Sequence, residues 1–346
     1  MKILYPSRIV SRNVGGNTTY GRALVDGLAS TGVEVEEIKS GRHPATTLLH
    51  ENIARYTSKS PGTMIHYLAD TGSLLGGGAP SVVTVHGIAS RWIDGVRSRT
   101  QELVWRSRVA RAIATSEAVI TPSDSSAADI AEIFDVSADV IRVVPHGIEH
   151  ATNFDLDPEI SLSESIRHRV PSNYLLYVGN IEPRKNIPAL VRAMNAPSVR
   201  ALGLKLVIAG KPAWNFEDSM EAISASIDVV YLGFVSDSDR NILMKRCAAF
   251  IFPSRYEGFG FPVLEALSLG CLVITSDRGS LAEVAGPSWR IEELDSGGIA
   301  AAIVQAMQDT NWSRRCVAEA PSWVSKFSWR RSVASHHDIY CEVLNS

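Results

Sequence analysis

Two carboxylates, Glu257 and Glu265, flank a glycine-rich turn in residues 254–270. The apolar run before this turn predicts a buried strand. A helix is expected to restart at Pro262 and to end near residue 270, because proline suits the first turn of a helix and glycine its end. The turn therefore places backbone N–H groups at the positive end of a helix, which favours an anion. Such a site suits a sugar phosphate, since amides bind the phosphate and carboxylates bind hydroxyls.

Two adjacent cations, Arg184 and Lys185, follow another predicted strand at residues 174–179 and precede a helical pattern. Arginine binds a phosphate with two hydrogen bonds, and lysine adds a point charge. Ligands bind at the carboxyl ends of the strands in open α/β sheets, so this position favours an anion site over an exposed basic turn.

The first predicted loop carries Gly15, Gly16 and Asn17 ahead of a helix expected from about residue 18. A glycine turn of this kind brings amides close to a phosphate or a sugar, and a plain tight turn explains the same residues equally well. The spacing is not that of the Gly-x-Gly-x-x-Gly dinucleotide fingerprint, which neither half of the chain carries. A nicotinamide dehydrogenase is therefore disfavoured.

His86 ends the fourth predicted strand, residues 81–86, where ligands bind in a parallel sheet. A surface histidine that caps the strand is the alternative interpretation. His146 has a similar position but borders a polar connection at residues 149–171.

Two Asp-x-Asp pairs resemble metal ligands but are interpreted otherwise. Asp155 and Asp157 lie in the polar connection, and Asp237 and Asp239 follow Ser236 in a helix-capping pattern. The four cysteines have no paired spacing, which indicates neither zinc nor a disulfide framework. No metal and no cofactor are therefore expected.

Short apolar runs that alternate with helical patterns must position these residues. Strands are predicted at 2–6, 33–38, 64–68, 81–86, 118–121, 141–145, 174–179, 205–209, 229–232, 249–252 and 272–275. This alternation predicts an α/β fold of two doubly wound parallel sheets that face each other across a cleft. The predicted domains are residues 1–165 and 166–328, with a final helix at 329–346 that crosses back to the first domain.

The composition predicts a globular chain without a strong charge bias. Hydrophobic residues make up 45% of the 346 residues, charged residues 21%, and the formal net charge is −3. No overall attraction to nucleic acid follows from this charge. No apolar run approaches the roughly 20 residues that span a bilayer. The expected location is the cytoplasm.

An arginine-rich segment from Arg91 to Arg111 is interleaved with apolar residues. A basic amphipathic helix can lie on an anionic membrane or meet an acidic acceptor. The more ordinary interpretation is a solvated helix face that carries arginines. Peripheral contact with the inner face of the plasma membrane is the hypothesis that the segment raises.

With these residues in view, the chain resembles the retaining glycosyltransferases of the GT-B fold (glycosyltransferase group 1, family 4). Their Glu-x7-Glu motif matches the run from Glu257 to Glu265, and their donor-phosphate loop matches residues 182–186. The glycine loop at Gly15 and the histidine at 86 extend the resemblance over nearly the whole chain. Residues 182–186 also look like those of bacterial mannosyltransferases of surface-polysaccharide assembly, which suggests GDP-mannose and leaves UDP-, ADP- and dTDP-sugars open.

The resemblance implies a nucleotide-diphosphate-sugar donor held mainly by the second domain and a saccharide or lipid-linked acceptor on the first. Its members retain the anomeric configuration and need no divalent metal. It implies catalytic roles for His86, Arg184, Lys185 and Glu257. It implies donor binding by Gly16, Arg184, Lys185, Glu257, Gly258, Phe259, Gly260, Phe261 and Glu265. It implies acceptor binding by Gly15, Asn17 and His86.

Two other classes remain open. A nucleotide-sugar epimerase or a phosphorylase of the same fold would act on a donor without an acceptor or would require pyridoxal phosphate. A non-catalytic nucleotide-sugar binding protein would bind the donor without turning it over.

Overall fold

The computed structural model of the protein describes residues 1–11, 15–149 and 161–346. The chain forms two compact units. Unit 1 comprises Met1–Glu149 and Phe327–Ser346, and unit 2 lies within His150–Lys326. Both units are α/β, as the alternating pattern predicts.

Unit 1 is built on a six-stranded parallel sheet of order β2-β1-β3-β4-β5-β6. Its strands are β1 (Lys2–Pro6), β2 (Glu34–Ile38), β3 (Thr63–Tyr67), β4 (Ser81–Thr84), β5 (Ala118–Thr121) and β6 (Ile141–Val143). Its helices are α1 (Ser7–Val10), α2 (Gly16–Ser30), α3 (Pro44–Thr57), α4 (Arg99–Ala114), α5 (Asp124–Phe134) and, from the end of the chain, α15 (Trp329–Asn345).

Both faces of this sheet are covered, which explains why its central strands are nearly continuous apolar runs. Side chains alternate along β4, so Val82 packs in one core cluster and Val83 in the other. The Val82 cluster includes residues of α2 and α15, and the Val83 cluster includes residues of α4 and α5. The last helix is thus part of the core of unit 1.

Unit 2 contains a second six-stranded parallel sheet, of order β12-β11-β10-β7-β8-β9. Its strands are β7 (Tyr174–Val178), β8 (Lys205–Ala209), β9 (Val229–Gly233), β10 (Ala249–Phe252), β11 (Val273–Thr275) and β12 (Trp289–Arg290). Its helices are α6 (Glu164–Arg167), α7 (Ile187–Met194), α8 (Pro197–Arg200), α9 (Glu217–Ala225), α10 (Asp237–Arg246), α11 (Phe261–Ser268), α12 (Leu281–Val284), α13 (Ser296–Gln308) and α14 (Thr310–Val324).

Each sheet has one point at which the chain reverses its direction of travel across the strands. This point lies between β1 and β3 in unit 1 and between β7 and β10 in unit 2. Loops that follow the two strands at such a point diverge and leave a crevice, which is where open α/β sheets bind ligands.

Several boundaries differ from the sequence-based prediction for local reasons. Strand β12 was not predicted, because two residues carry no periodic signal. Helix α2 begins at Gly16 because Gly15, with a φ of 103°, turns the chain into it. Strand β4 ends at Thr84, so His86 lies in the loop after the strand rather than in it. Helix α6 lies inside the segment that was expected to be an irregular connection.

The close approach of Gly147 to the start of α15 can be tested by adding one methyl group. A Cβ at Gly147 would lie 2.1 Å from the Trp329 backbone nitrogen, beside the bridge between Ile148 and Ser328. Gly147→Ala should therefore destabilise unit 1 by about 1–3 kcal/mol. Thermal unfolding measures this loss. Gly76→Ala is the matched control, since its nearest neighbour would be 3.9 Å away, and equal melting temperatures for the two variants would contradict the proposed contact.

Candidate active site

The reversal point of unit 2 brings together the loops that follow β7 and β10. The first loop ends in a 3₁₀ turn, Pro183–Lys185, and the second runs from Pro253 to the N-terminus of α11. Strands β7 and β10 pair in parallel, with Ala249 opposite Leu175, so both loops leave the same edge of the sheet. The two motifs that the sequence analysis selected independently therefore meet.

Glu257 is shared between the two cations. Its Oε2 lies 2.6 Å from Arg184 Nη1, and its Oε1 lies 2.5 Å from Lys185 Nζ. Arg184 also pairs through Nε with Glu182. The side chains of Lys185 and Glu257 are only 6% and 7% exposed, whereas Arg184 is 24% exposed. Arg184 is thus the member of this ion-pair cluster that a ligand can reach most easily.

The electrostatics of the cluster follow from burial and from its short distances. Burial disfavours the charged form of Glu257, but Arg184 and Lys185 outweigh it and lower the pKa of Glu257 to about 2. Burial and the neighbouring Arg184 lower the pKa of Lys185. Burial acts in the same direction on Arg184, but the carboxylates of Glu257 and Glu182 raise the pKa of Arg184 above its ordinary value. Glu257 is therefore an anion at all physiological pH values.

Hydrogen bonds hold the two loops to each other and to a third segment. The backbone N–H of Arg255 donates to the carbonyl of Arg184 at 2.7 Å. The Arg255 guanidinium donates to Asn186 Oδ1, and Asn186 Nδ2 donates to the carbonyl of Leu294 at 2.7 Å. Asn186 has a φ of 58°, a left-handed conformation that asparagine tolerates better than most residues. The cations thus sit on a braced loop.

Helix α11 starts beside this cluster, as the glycine and proline positions predict. Its N-cap, Gly260, has a φ of 96°, and a Cβ there would lie 2.7 Å from the Leu281 side chain. The rings of Phe259 and Phe261 pack edge to face with centroids 5.1 Å apart. The sequence predicted this turn, including Gly258, as the donor-binding stretch.

Glu265 lies one to two helical turns further along α11. Its side chain is 27% exposed, and its Oε2 lies 3.9 Å from Arg240 Nε on α10. Burial raises the pKa of Glu265. The two glutamates of the motif are therefore perturbed in opposite directions, one by its cations and the other by desolvation.

In unit 1 the candidate residues lie at the ends of β1 and β4. Gly15, Gly16 and Asn17 are exposed at the start of α2. The backbone N–H of His86 donates to Asp70 Oδ1 at 3.2 Å, and its ring Nε2 lies 2.9 Å from the carbonyl of Leu68. His86 is half-buried, so the alternative of a fully exposed surface histidine does not hold.

A buried polar cluster behind His86 was missed by the sequence analysis. The Tyr20 hydroxyl lies 2.8 Å from Thr84 Oγ1 and 2.9 Å from His336 Nε2. His66 bridges Thr84 and Tyr340, at 2.8 and 2.7 Å. The ring of His146 also packs on Tyr20, and the sequence marks His146 by its place after an apolar run. His66 lies within β3 and His336 within α15, where no local sequence pattern marks a functional histidine.

The remaining candidates have structural roles or lie outside the described residues. Ser236 accepts a hydrogen bond from the backbone of Asp239 at 3.1 Å, which confirms the helix cap. Asp155 and Asp157 lie outside the described residues. Among the described residues, no group of three or more His, Cys, Asp or Glu side chains is arranged to hold a metal ion.

Most arginines of the segment Arg91–Arg111 are engaged inside unit 1. Glu102 pairs with Arg97 at 3.2 Å and with Arg106 at 2.6 Å, and Arg91 pairs with Asp129 at 3.2 Å. Leu103 and Val104 on α4 are nevertheless 68% and 56% exposed, and Trp92 is 57% exposed. No helix in the described part of the chain is long and apolar enough to cross a membrane.

Two Rossmann-like units, each with a parallel sheet covered by helices, are the architecture of the GT-B glycosyltransferases. The chain belongs to the group 1 glycosyltransferases: the family model for glycosyl transferases group 1 matches residues 160–323, and that for glycosyltransferase family 4 matches residues 57–152.

Curated relatives include two proteins from Escherichia coli. The O-antigen chain mannosyltransferase B is 30% identical over 233 residues, which cover 65% of this chain and 61% of that protein. The serotype-specific mannosyltransferase WbdA is 29% identical over 241 residues, which cover 67% of this chain and 29% of that protein. This chain thus matches less than two thirds of the length of either relative.

Solved structures share the whole fold at low identity. The sucrose-phosphate synthase from Thermosynechococcus elongatus aligns with a TM-score of 0.75 at 18% identity, covering 99% of both chains. HepE from Anabaena, in complex with UDP and glucose, aligns with a TM-score of 0.71 at 18% identity, covering both chains completely. These likenesses establish the fold.

The opposite pKa shifts of the two glutamates predict opposite effects of acid on stability. The pKa of Glu257 falls from 4.5 to about 2 on folding, so above pH 4.5 its ionised form favours the folded state by about 3 kcal/mol relative to its protonated form. That stabilisation shrinks by roughly 1.4 kcal/mol per pH unit as the pH falls from 4.5 towards 2.

Glu257→Gln should therefore be less stable than the wild type at pH 7, and the difference should narrow between pH 5 and pH 3.5. Thermal unfolding across this range measures the difference. Glu265→Gln is the matched control, because the raised pKa of Glu265 means that its charge costs stability above that pKa, so its variant should show no such narrowing. A Glu257→Gln deficit that is constant with pH would contradict the ion-pair assignment.

Proposed function

We propose that this protein is a retaining glycosyltransferase that moves a sugar from a nucleotide-diphosphate-sugar to a saccharide or lipid-linked acceptor. The observation that carries the proposal is the pair Arg184 and Lys185 at the reversal point of unit 2, next to the Glu-x7-Glu helix. Cleavage of a sugar–phosphate bond develops negative charge on the diphosphate and positive charge on the sugar ring. Preorganised cations and a helix N-terminus stabilise the first of these charges.

In this proposal Arg184 and Lys185 bind the diphosphate of the donor. Arg184 is the more exposed cation and contacts phosphate oxygens directly, while the buried Lys185 adds positive charge behind it. Glu257 and Glu182 together balance the two cations in the ligand-free unit, and Glu257 contacts the transferred sugar when the diphosphate takes over the pairing. The helix start at Gly258 to Phe261 adds its positive dipole end.

Glu265 binds the ribose hydroxyls of the nucleotide, and Arg240 holds it in place. Unit 1 binds the acceptor through Gly15, Asn17 and His86, and Gly16 contributes its amide to the donor phosphate. The reaction proceeds with retention of configuration and without a divalent metal. Activity that survives chelation by EDTA would support the last point, and activity that is lost would refute it.

GDP-mannose is the donor that we propose, within bacterial polysaccharide biosynthesis. Two relatives are named as mannosyltransferases, and residues 182–186 resemble the corresponding residues of such enzymes, which supports this donor. A thermal-shift screen of nucleoside diphosphates and their sugars tests it, because a ligand that binds the folded state raises the melting temperature. Turnover of the donor without an acceptor would favour an epimerase or a phosphorylase. Binding of the donor without turnover would favour a non-catalytic binding protein.

Loss of either cation should nearly abolish transfer. Lys185→Ala and Arg184→Ala are each expected to lower the rate by about 10²–10³-fold, the usual cost of removing one electrostatic stabiliser of a transition state. The measurement is radiolabelled mannose transfer by the folded variants. Lys211→Ala is the matched control, since Lys211 follows β8 at the same edge of the sheet and contacts the Phe234 ring. Near-normal turnover by folded Lys185→Ala would overturn the assignment.

Removal of the Glu265 carboxylate should chiefly weaken donor binding. A hydrogen bond to a charged group contributes about 1.5–3 kcal/mol, so Glu265→Ala should raise the dissociation constant roughly 10- to 100-fold. Calorimetric titration with GDP checks this, with Glu217→Ala, an exposed acid of the same unit, as the control. Unchanged affinity in Glu265→Ala would refute the ribose role.

We also propose that α4 rests on an anionic membrane, which would place the enzyme in the cytoplasm at the inner face of the plasma membrane. Leu103 and Val104 are exposed side by side, and the exposed Arg99 and the 40% exposed Arg106 lie one turn to either side. Apolar side chains next to cations suit the boundary between acyl chains and anionic headgroups.

Co-sedimentation with liposomes tests this contact. The wild type should bind vesicles that contain phosphatidylglycerol more strongly than neutral vesicles, and Leu103→Ser with Val104→Ser should weaken binding. Ile227→Ser is the control, since Ile227 is 85% exposed on unit 2. Binding that does not depend on anionic lipid would leave α4 as a solvated helix face.

A further inference from the structure

The ring of His86 is held from within unit 1 by His146. His146 Nε2 lies 3.3 Å from His86 Nδ1, and the carbonyl of Leu68 lies 2.9 Å from His86 Nε2. Both ring nitrogens of His86 thus face partners of the same unit. The chemistry of these partners determines where the protons are.

A backbone carbonyl can only accept a hydrogen bond, so His86 Nε2 must carry the proton that points at Leu68. Neutral His86 then has a lone pair at Nδ1, and only a donor can face it. His146 must therefore carry its own proton at Nε2 and donate it to His86. The carbonyl of Leu68 thus fixes the tautomers of two histidines that are hydrogen-bonded to each other.

His146 cannot turn away easily, because its ring is enclosed. It is 2% exposed, its centroid lies 4.4 Å from that of Tyr20, and it stacks on Trp329 of α15 at 6.2 Å. Tyr20 is anchored in turn by Thr84 and His336. Residues of three separate elements, α2, β4 and α15, thus fix the orientation of His146.

We infer that His146 is a positioning residue for His86: through its Nε2–H it fixes the ring plane of His86 and reserves Nδ1 for a hydrogen-bond donor. This inference rests on the proposed role of His86 in binding the acceptor. It deepens that role, since both ring nitrogens of His86 are engaged inside unit 1 and His146 therefore sets the ring orientation that the acceptor meets.

The electrostatic surroundings keep both rings neutral. The groups that face His86 are Asp70 in the preceding loop, Tyr20 on α2, His146, and at longer range His66 and His336. Burial lowers the pKa of His86, although Asp70 and the Leu68 carbonyl oppose it, and burial lowers the pKa of His146 further. The hydrogen bond from His146 also favours the neutral form of His86, so its loss should raise the pKa of His86.

Nitrogen-15 NMR of protein with labelled histidine tests the inference without any assay of transfer. In the wild type, His86 and His146 should both carry their proton at Nε2 and have an unprotonated Nδ1. His146→Leu should raise the pKa of His86, and His146→Gln, whose amide N–H can donate to Nδ1, should keep it low. His337→Leu is the control, since His337 is 41% exposed on α15.

Transfer kinetics form the second arm. In His146→Leu, kcat should fall by about 10²-fold with little change in KM for the donor, since a small misplacement of a reacting group costs a factor of this size. The fall of kcat on the acid side of its pH profile should move to higher pH. His146→Gln should restore both the kcat and the pH profile of the wild type.

The outcomes separate the inference from the proposed function. A wild-type His146 protonated at Nδ1 instead of Nε2 would overturn the inference even if the leucine variant fails to fold, and so would a folded His146→Leu with an unchanged His86 pKa or an unchanged kcat. Absence of any transfer by the wild type would refute the proposed function, while the NMR arm would still decide the contact.

Discussion

The carboxylate of Glu257 is the constraint on which the candidate site depends. Two cations on adjacent residues repel each other, and a buried lysine is costly unless an anion is close. Glu257 satisfies both Arg184 and Lys185 from the loop of a different strand, so the loops after β7 and β10 cannot separate without leaving a buried charge unpaired. The site is therefore preorganised before a ligand arrives. If the proposed function holds, an incoming diphosphate would exchange one anionic partner for another and would not have to assemble the cations.

The frame around this carboxylate is set by sheet topology. In both units the chain begins its sheet at an interior strand and later reverses, which opens one crevice per sheet. In unit 2 the crevice holds charge, supported by Asn186 and Arg255. Near the corresponding edge of unit 1 lie neutral histidines and tyrosines backed by the core. Unit 2 thus carries an ion-pair cluster at its crevice, whereas unit 1 carries a cluster of hydrogen-bonded rings.

The sequence predicted what depends on local pattern and failed where contacts are long-range. The parallel sheets, the caps of α10 and α11, and the positions of Arg184 and Lys185 followed from period, proline, glycine and charge. The pairing of Glu257 with residues 72 and 73 positions earlier did not, because it depends on β7 lying next to β10. His336 was missed for the same reason, since its partner Tyr20 is 316 residues away. The two-residue β12 is simply too short to carry a pattern.

The return of α15 to unit 1 gives the two units different folding requirements. Every strand of unit 2 lies between residues 174 and 290, so its sheet can form as soon as that segment has emerged from the ribosome. The core of unit 1 is incomplete until Val333, His336 and Tyr340 exist, although its six strands were made first. Closing so long a loop is entropically slow but costs little more than closing a shorter one, because the cost grows only with the logarithm of length. The unit whose strands are synthesised first is therefore completed only after the strands of unit 2 have been made, because its histidine cluster needs residues of α15.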